Sequence, residues 1–228
     1  MAESLFSYLR FVRSHPFSIM ALSNIVGDLC YLGFAFDAAG FVSIPKLGGA
    51  LCAMLAHILL LAYGDDYAHA VAAEPGRLSA VFFLLRRWAQ TLTGLLPNWA
   101  LKVTQNKPVG LPFLMLSMNG VGFVVDSLLR LNRPNNLAML DQIIMGVFIS
   151  LGTAFFAAAD YVSSQKQADF LTKLAPSTLG CASAANIALA ALTLNPFIIL
   201  STLVFALSNL AGFFTRLNKA KDRPHATA

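Results

Sequence analysis

Long apolar runs separated by short polar turns dominate the chain and predict helices that cross a membrane. A spanning helix needs about 20 predominantly apolar residues for a hydrocarbon layer of about 30 Å. Gly, Pro, Asn and Asp between the runs mark the turns. The pattern predicts an all-α, polytopic helical membrane protein with six transmembrane helices in a single integral membrane domain (1–228). The predicted spans cover residues 17–36, 47–63, 110–131, 138–159, 178–194 and 197–214.

Several stretches outside these spans are predicted to lie on the membrane surface or in the cytoplasm. Residues 1–15 carry apolar side chains on one helical face and Arg10 and Arg13 off it, as in an interfacial amphipathic helix. Residues 170–174 are predicted to form a second, short interfacial piece. The basic stretch 216–228 is predicted to be a cytoplasmic tail.

The stretch 78–104 combines an apolar start with the adjacent Arg86 and Arg87. At the bilayer centre this pair would cost several kcal/mol. The stretch is therefore predicted to form an interfacial or re-entrant helix, and Trp88 and Trp99 are typical anchors at the membrane surface. A further membrane span is the alternative for these residues.

The distribution of basic residues predicts which side of the membrane holds the termini. With both ends cytoplasmic, thirteen Lys and Arg residues lie on the cytoplasmic side and three on the other. Because cytoplasmic loops carry an excess of these residues, six spans are favoured over seven, which would put one terminus on the wrong side. The charge bias and the compact chain favour a bacterial inner membrane.

Composition narrows the class of protein further. Apolar residues make up 57% of the chain and charged residues 12%, against about 25% charged residues in soluble domains. The net charge of +5 does not indicate nucleic-acid binding, because the basic residues lie at the ends of apolar runs. The expected partners are the lipid bilayer and either a second copy of the chain or another membrane protein.

Two segments share the pattern Asn-x-x-Gly and indicate an internal repeat. The pattern occurs at Asn24 and again at Asn119, 95 residues later. Both copies lie in the first helix of a predicted hairpin, and the two hairpins run in the same direction, as in the parallel repeats of some carriers. A third copy, at Asn209, runs the other way. It is either a chance match or a sign of seven spans.

Polar residues inside the spans are the candidates for function. Asn24, Asp28 and Tyr31 lie on one face of the first span, and an intramembrane carboxylate is costly enough to indicate a function. His57 lies at a similar depth if the first two spans form an antiparallel hairpin, and a His–Asp pair can exchange a proton near neutral pH. The alternatives are structural: a neutral His57 bonded to a neighbouring helix, and an Asn24 that joins two helices.

The third span carries a matching polar stripe with Asn119 and Asp126. Asp126 and Arg130 are spaced for an i,i+4 ion pair, which favours mutual neutralisation near the outer membrane surface. The predicted substrate or proton pathway comprises Asn24, Asp28, His57, Asn119 and Asp126.

No sequence motif indicates catalysis. The zinc-protease, nucleophile-elbow, Walker A and dinucleotide patterns are absent from the sequence, and no catalytic, cofactor-binding or metal-binding residue is predicted. The leading hypothesis is therefore not an enzyme but a multi-pass transporter or permease for a small solute, with proton linkage as a variant. The second hypothesis is a non-catalytic membrane subunit or assembly factor that docks a partner membrane protein. An intramembrane enzyme acting on lipid is the third.

Overall fold

The protein is built from α-helices. The computed structural model describes residues 16–36, 42–64, 77–106, 109–130 and 136–205. Regular structure in these ranges is helical, apart from one isolated antiparallel bridge between Phe36 and Val42, and the all-α prediction is confirmed. The helices are α1 (Pro16–Phe34), α2 (Ile44–Tyr63), α3 (Arg77–Thr93), α4 (Asn98–Asn106), α5 (Gly110–Leu129), α6 (Asn136–Tyr161), α7 (Gln165–Thr193) and α8 (Pro196–Phe205).

Four of these helices, α2, α5, α6 and α7, are long and apolar enough to cross a membrane. The helices α1 and α8 are also apolar, but the parts of them that the structure describes are shorter. Each of the six predicted spans overlaps one of these six helices. The chain therefore has the helices of a membrane protein, and the number of spans stays a prediction.

The bundle packs around α2 and α5. Helix α2 contacts α1, α3 and α5, while α6 contacts both α5 and α7. Where α2 and α5 cross, a Cβ added at Gly122 would overlap the carbonyl oxygen of Pro45. Where α5 and α6 cross, a Cβ at Gly120 would overlap the carbonyl oxygen of Gly146. Glycine thus lets these backbones touch, as is usual for helices that pack in membranes.

The stretch 78–104 forms two helices, α3 and α4, where a single helix was predicted. Gly94 and Pro97 lie in the turn between them. Proline lacks a backbone N–H and disfavours a helical conformation at the preceding residue, so the helix stops before Pro97 and restarts after it. The interfacial location of this stretch stays a prediction.

One of the two adjacent arginines of α3 lies at the end of α2. Arg86 donates from Nε to the carbonyl oxygen of Ala62 (3.0 Å), and Gln90 donates from Nε2 to the same oxygen (3.3 Å). Ala62 is in the last turn of α2, where the carbonyl groups have no partner within the helix. A cation is favourable at this negative end of the helix dipole, which gives Arg86 a structural role at the end of the bundle.

Helix α7 is continuous, so residues 170–174 are part of it and do not form a separate piece. Their interfacial location stays a prediction. Pro176 lies inside this helix, where it removes one backbone hydrogen bond. Membrane helices tolerate such a break because neighbouring helices support the backbone. The helix ends at Leu194 in a left-handed conformation (φ 50°). Asn195 then accepts a hydrogen bond from the Phe197 N–H (2.9 Å) at the start of α8.

Three sequence predictions fall outside the described residues. They are the interfacial helix at 1–15, the basic tail at 216–228 and the third copy of the repeat at Asn209.

The helix crossings can be tested with a matched pair of glycines. We expect Gly122→Ala to lower stability by about 1–3 kcal/mol, because the new methyl group meets the backbone of α2. Gly48→Ala is the control, since nothing lies within 4 Å of the added Cβ. It should stabilise α2 by roughly 0.5–1 kcal/mol through helix propensity. Thermal unfolding in detergent measures both, and equal melting temperatures for the two variants would contradict the close crossing.

Candidate functional site

A cavity of about 100 Å³ lies between the six apolar helices. Every one of them contributes to its wall, and α5 and α7 each contribute an asparagine. One lining residue from each helix, in chain order, is Asp28, His57, Asn119, Thr153, Asn186 and Phe205. Since largely apolar cavities with a few convergent polar groups are the usual form of a small-molecule site, this cavity is the candidate functional site.

The cavity lies at a polar layer between two apolar clusters of the core. On α1, Asn24 and Asp28 follow Ala21 of one cluster and precede Tyr31 of the other. On α5, Asn119 similarly follows Leu116 and precedes Phe123, which belong to the same two clusters. The polar residues therefore interrupt an otherwise apolar interior at one level of the bundle.

Asp28, His57 and Asn24 form a connected group in the wall of the cavity. The i,i+4 spacing of Asn24 and Asp28 puts both side chains on one face of α1, and His57 on α2 reaches both. His57 Nδ1 lies 2.5 Å from Asp28 Oδ2, and His57 Nε2 lies 3.3 Å from Asn24 Nδ2. A neutral His57 that donates from Nδ1 to the carboxylate leaves Nε2 to accept from the Asn24 amide. Asp28 and His57 are 0% and 2% exposed, so these contacts are shielded from solvent.

Four buried oxygen atoms in the cavity wall have no hydrogen-bond partner among the described residues. Each belongs to a side chain that is at most 8% exposed. A buried acceptor without a donor costs about 1–3 kcal/mol, and four at one cavity are unlike the general interior, where polar groups are paired. The atoms are Asn24 Oδ1, Asp28 Oδ1, Asn119 Oδ1 and Asn186 Oδ1.

Aromatic rings form much of the apolar wall. Phe205 packs over Gly27, where a Cβ would lie 2.7 Å from the ring, so only glycine leaves room for it. The rings of Tyr31 and Phe205 have centroids 5.2 Å apart. Phe113, which also lines the cavity, packs on Phe156 with a centroid distance of 4.7 Å. These rings give the polar groups of the cavity largely apolar surroundings.

Asp126 does not line the cavity, although the sequence places it with the pathway residues. It accepts from Ser43 Oγ (2.6 Å), pairs with Lys46 Nζ (2.9 Å) and pairs with Arg130 Nε (2.9 Å). The expected i,i+4 pair with Arg130 is present, and Lys46 also lies over the Phe34 ring, 4.2 Å from its centroid. This ion cluster ties the start of α2 to the end of α5.

The structure thus brings four of the five predicted site residues to the cavity: Asn24, Asp28, His57 and Asn119. Sequence reasoning missed Asn186 as a member of the site and Lys46 as a partner of Asp126. An asparagine within a span rich in alanine was the available signal for Asn186. Among the described residues, no group of three or more His, Cys, Asp and Glu side chains is arranged to hold a metal ion.

We expect the stability of the protein to depend strongly on Asp126, the carboxylate of the ion cluster. We expect Asp126→Asn to destabilise the protein by up to about 3–5 kcal/mol, because it leaves the buried Lys46 without a counter-charge. Adding Lys46→Met should recover part of this loss in unfolding experiments in detergent. Asp141→Asn makes the same charge change elsewhere in the bundle and is the control. Additive effects of the two cluster substitutions would contradict the pairing.

No protein-family model, curated protein or solved structure matches the chain.

Proposed function

We propose that this protein is a multi-pass membrane carrier for a small polar solute, and that the central cavity is its binding site. The observation that carries the proposal is the set of four buried oxygen atoms in the wall of one cavity that have no partner among the described residues. A polar site enclosed by apolar helices is what a carrier needs, because the solute must exchange its hydration shell for protein groups within the bilayer. The proposal assigns no catalytic residue and no cofactor.

The proposal includes six spans with both termini in the cytoplasm of a bacterial cell. Support comes from the six helices around the cavity and from the excess of basic residues on the cytoplasmic side. In this orientation α2 ends at the cytoplasmic surface, where Arg86 bonds to its last turn. The start of α2 and the end of α5, joined by the ion cluster of Asp126, then lie at the outer surface.

The proposed repeat also favours a carrier. Asn24 and Asn119 occupy equivalent positions in the two hairpins, 95 residues apart, and both line the cavity. In many transporters the substrate site lies near the membrane midplane at the interface of two repeats. Helices α1 and α5 would supply corresponding walls of such a site.

Proton linkage is the proposed mode of coupling. His57 bonds to Asp28 through Nδ1 and to Asn24 through Nε2, so a proton on its ring changes the formal charge of this group from −1 to 0. Histidine is the side chain suited to such a change near neutral pH. A charge change inside the binding site would couple proton movement to solute binding.

Water access to the cavity distinguishes a carrier from a subunit that docks a partner. The test uses a chain in which Cys30, Cys52 and Cys181 are replaced by Ala, with a single cysteine introduced on α7. We expect Ser183→Cys, in the cavity wall, to react many times faster with a hydrophilic thiosulfonate in membrane vesicles than Ile187→Cys. Ile187 is 55% exposed on the outer surface of the same helix, where lipid would suppress the reactive thiolate.

The outcome separates the two functions. Fast labelling at Ser183→Cys means that water reaches the polar layer, as carriage of a solute requires. Equal, slow labelling at both positions would contradict the carrier, and the dry polar layer would then favour the docking subunit.

A further inference from the structure

We propose that the solute is a small cation with N–H donors, of the ammonium or primary alkylammonium class, and that it competes with a proton on His57. This inference rests on the proposed carrier function and names the chemistry of the same cavity. It is drawn from the charge of the cavity wall, its unpaired atoms and its aromatic surface.

The charge of the wall favours a cation. The titratable residues that line the cavity are Asp28, Tyr31 and His57, and the helices α5, α6, α7 and α8 add no charged residue to its wall. With a neutral His57, the Asp28 carboxylate is the one formal charge among the described residues of this wall. A buried carboxylate without a counter-charge is costly, so a bound cation would stabilise it.

The unpaired atoms favour a ligand that donates hydrogen bonds. On the lining residues, the buried atoms without a partner among the described residues are four oxygens and no nitrogens. An alkylammonium group has three N–H donors and no acceptor, so it can donate to as many as three of these oxygens and requires no donor from the wall. The carboxylate oxygen of Asp28 supplies the charge-assisted bond, and the amide oxygens of Asn119 and Asn186 supply further acceptors from the opposite helices.

The size and the aromatic wall favour an organic ammonium over a bare metal ion. A cavity of about 100 Å³ holds a ligand with a few non-hydrogen atoms and leaves bare ions loosely held. Tyr31, Phe113 and Phe205 add aromatic rings to the wall, and the faces of such rings attract ammonium groups. Short alkyl substituents would also fit against these rings.

The same geometry makes binding of the cation and protonation of His57 mutually exclusive. A protonated His57 donates from both nitrogens, so it neutralises Asp28 through Nδ1 and needs an acceptor at Nε2. Asn24 meets this need when its amide turns over and presents Oδ1 to the ring. This rotation of the Asn24 amide withdraws one acceptor from the cavity. The proton on His57 at the same time neutralises the negative charge of the cavity wall. Each proton taken up therefore releases one monovalent cation.

The test measures thermal unfolding of the full-length protein in detergent at constant ionic strength. At pH 7.5 we expect methylammonium chloride to raise the melting temperature progressively with concentration, since a ligand that binds only the folded state stabilises it. Tetramethylammonium, which lacks N–H donors, and sodium should have little effect. At pH 5.5 the rise should shrink. In His57→Gln, whatever the size of the remaining response to methylammonium, that response should no longer depend on pH.

Two further variants localise the response. Asp28→Asn should abolish the stabilisation by methylammonium, while Asp141→Asn, with the same charge change outside the cavity wall, should keep it. Asn186→Leu should weaken the response and serves as a second cavity variant if Asp28→Asn fails to fold.

The outcomes distinguish this inference from the carrier proposal. Equal stabilisation by all three salts, or by sodium alone, would overturn the ammonium class. If no cation changes the melting temperature but Ser183→Cys is labelled rapidly, the ammonium class of solute is wrong and the carrier function is still supported. No response together with slow labelling would overturn both.

Discussion

The burial of the Asp28 carboxylate is the constraint on which the polar layer depends. An unexposed carboxylate inside an apolar bundle must be compensated, and His57 compensates one of its oxygens. That contact fixes the depth at which α1 and α2 pair and requires a hydrogen-bonding partner on the far side of the imidazole, which Asn24 provides. The second carboxylate oxygen has no protein donor among the described residues, so the compensation is incomplete at the cavity.

A second buried carboxylate is compensated differently, by side chains that carry a full positive charge. Asp126 has two cationic partners and a hydroxyl donor, and its cluster joins two helices at one end of the bundle. Asp28 has a histidine and, within the part of the chain that the structure describes, no Lys or Arg partner. The same residue type therefore serves two purposes in our proposal: Asp126 holds α2 against α5, and Asp28 keeps a charge available to a ligand. Sequence spacing alone grouped them, because both lie in apolar runs on polar stripes.

The sequence was sufficient for features that depend on one helix or one hairpin. Apolar run length predicted helices, and depth within a hairpin placed Asp28 beside His57. Features that depend on distant helices were not predictable. The residue of α7 that faces the cavity, Asn186, is set by how α7 packs on α6, and Lys46 joins Asp126 only through the α2–α5 crossing. Pro176 is a further example: proline normally interrupts a helix, but α7 continues through it because neighbouring helices support the backbone.

The cost of the polar layer is itself an argument for a ligand. If Asn24, Asn119 and Asn186 served only to join helices, their oxygen atoms would be paired with donors on the facing helix, as interhelical hydrogen bonds in membranes are. Asn24 does bond to His57 through its nitrogen, but all three oxygen atoms are buried without a donor among the described residues, which costs stability. Well-packed apolar side chains would serve the helix contacts as well or better. A polar molecule bound between these asparagines would complete their hydrogen bonds and offset this cost, and the cavity provides the space for it.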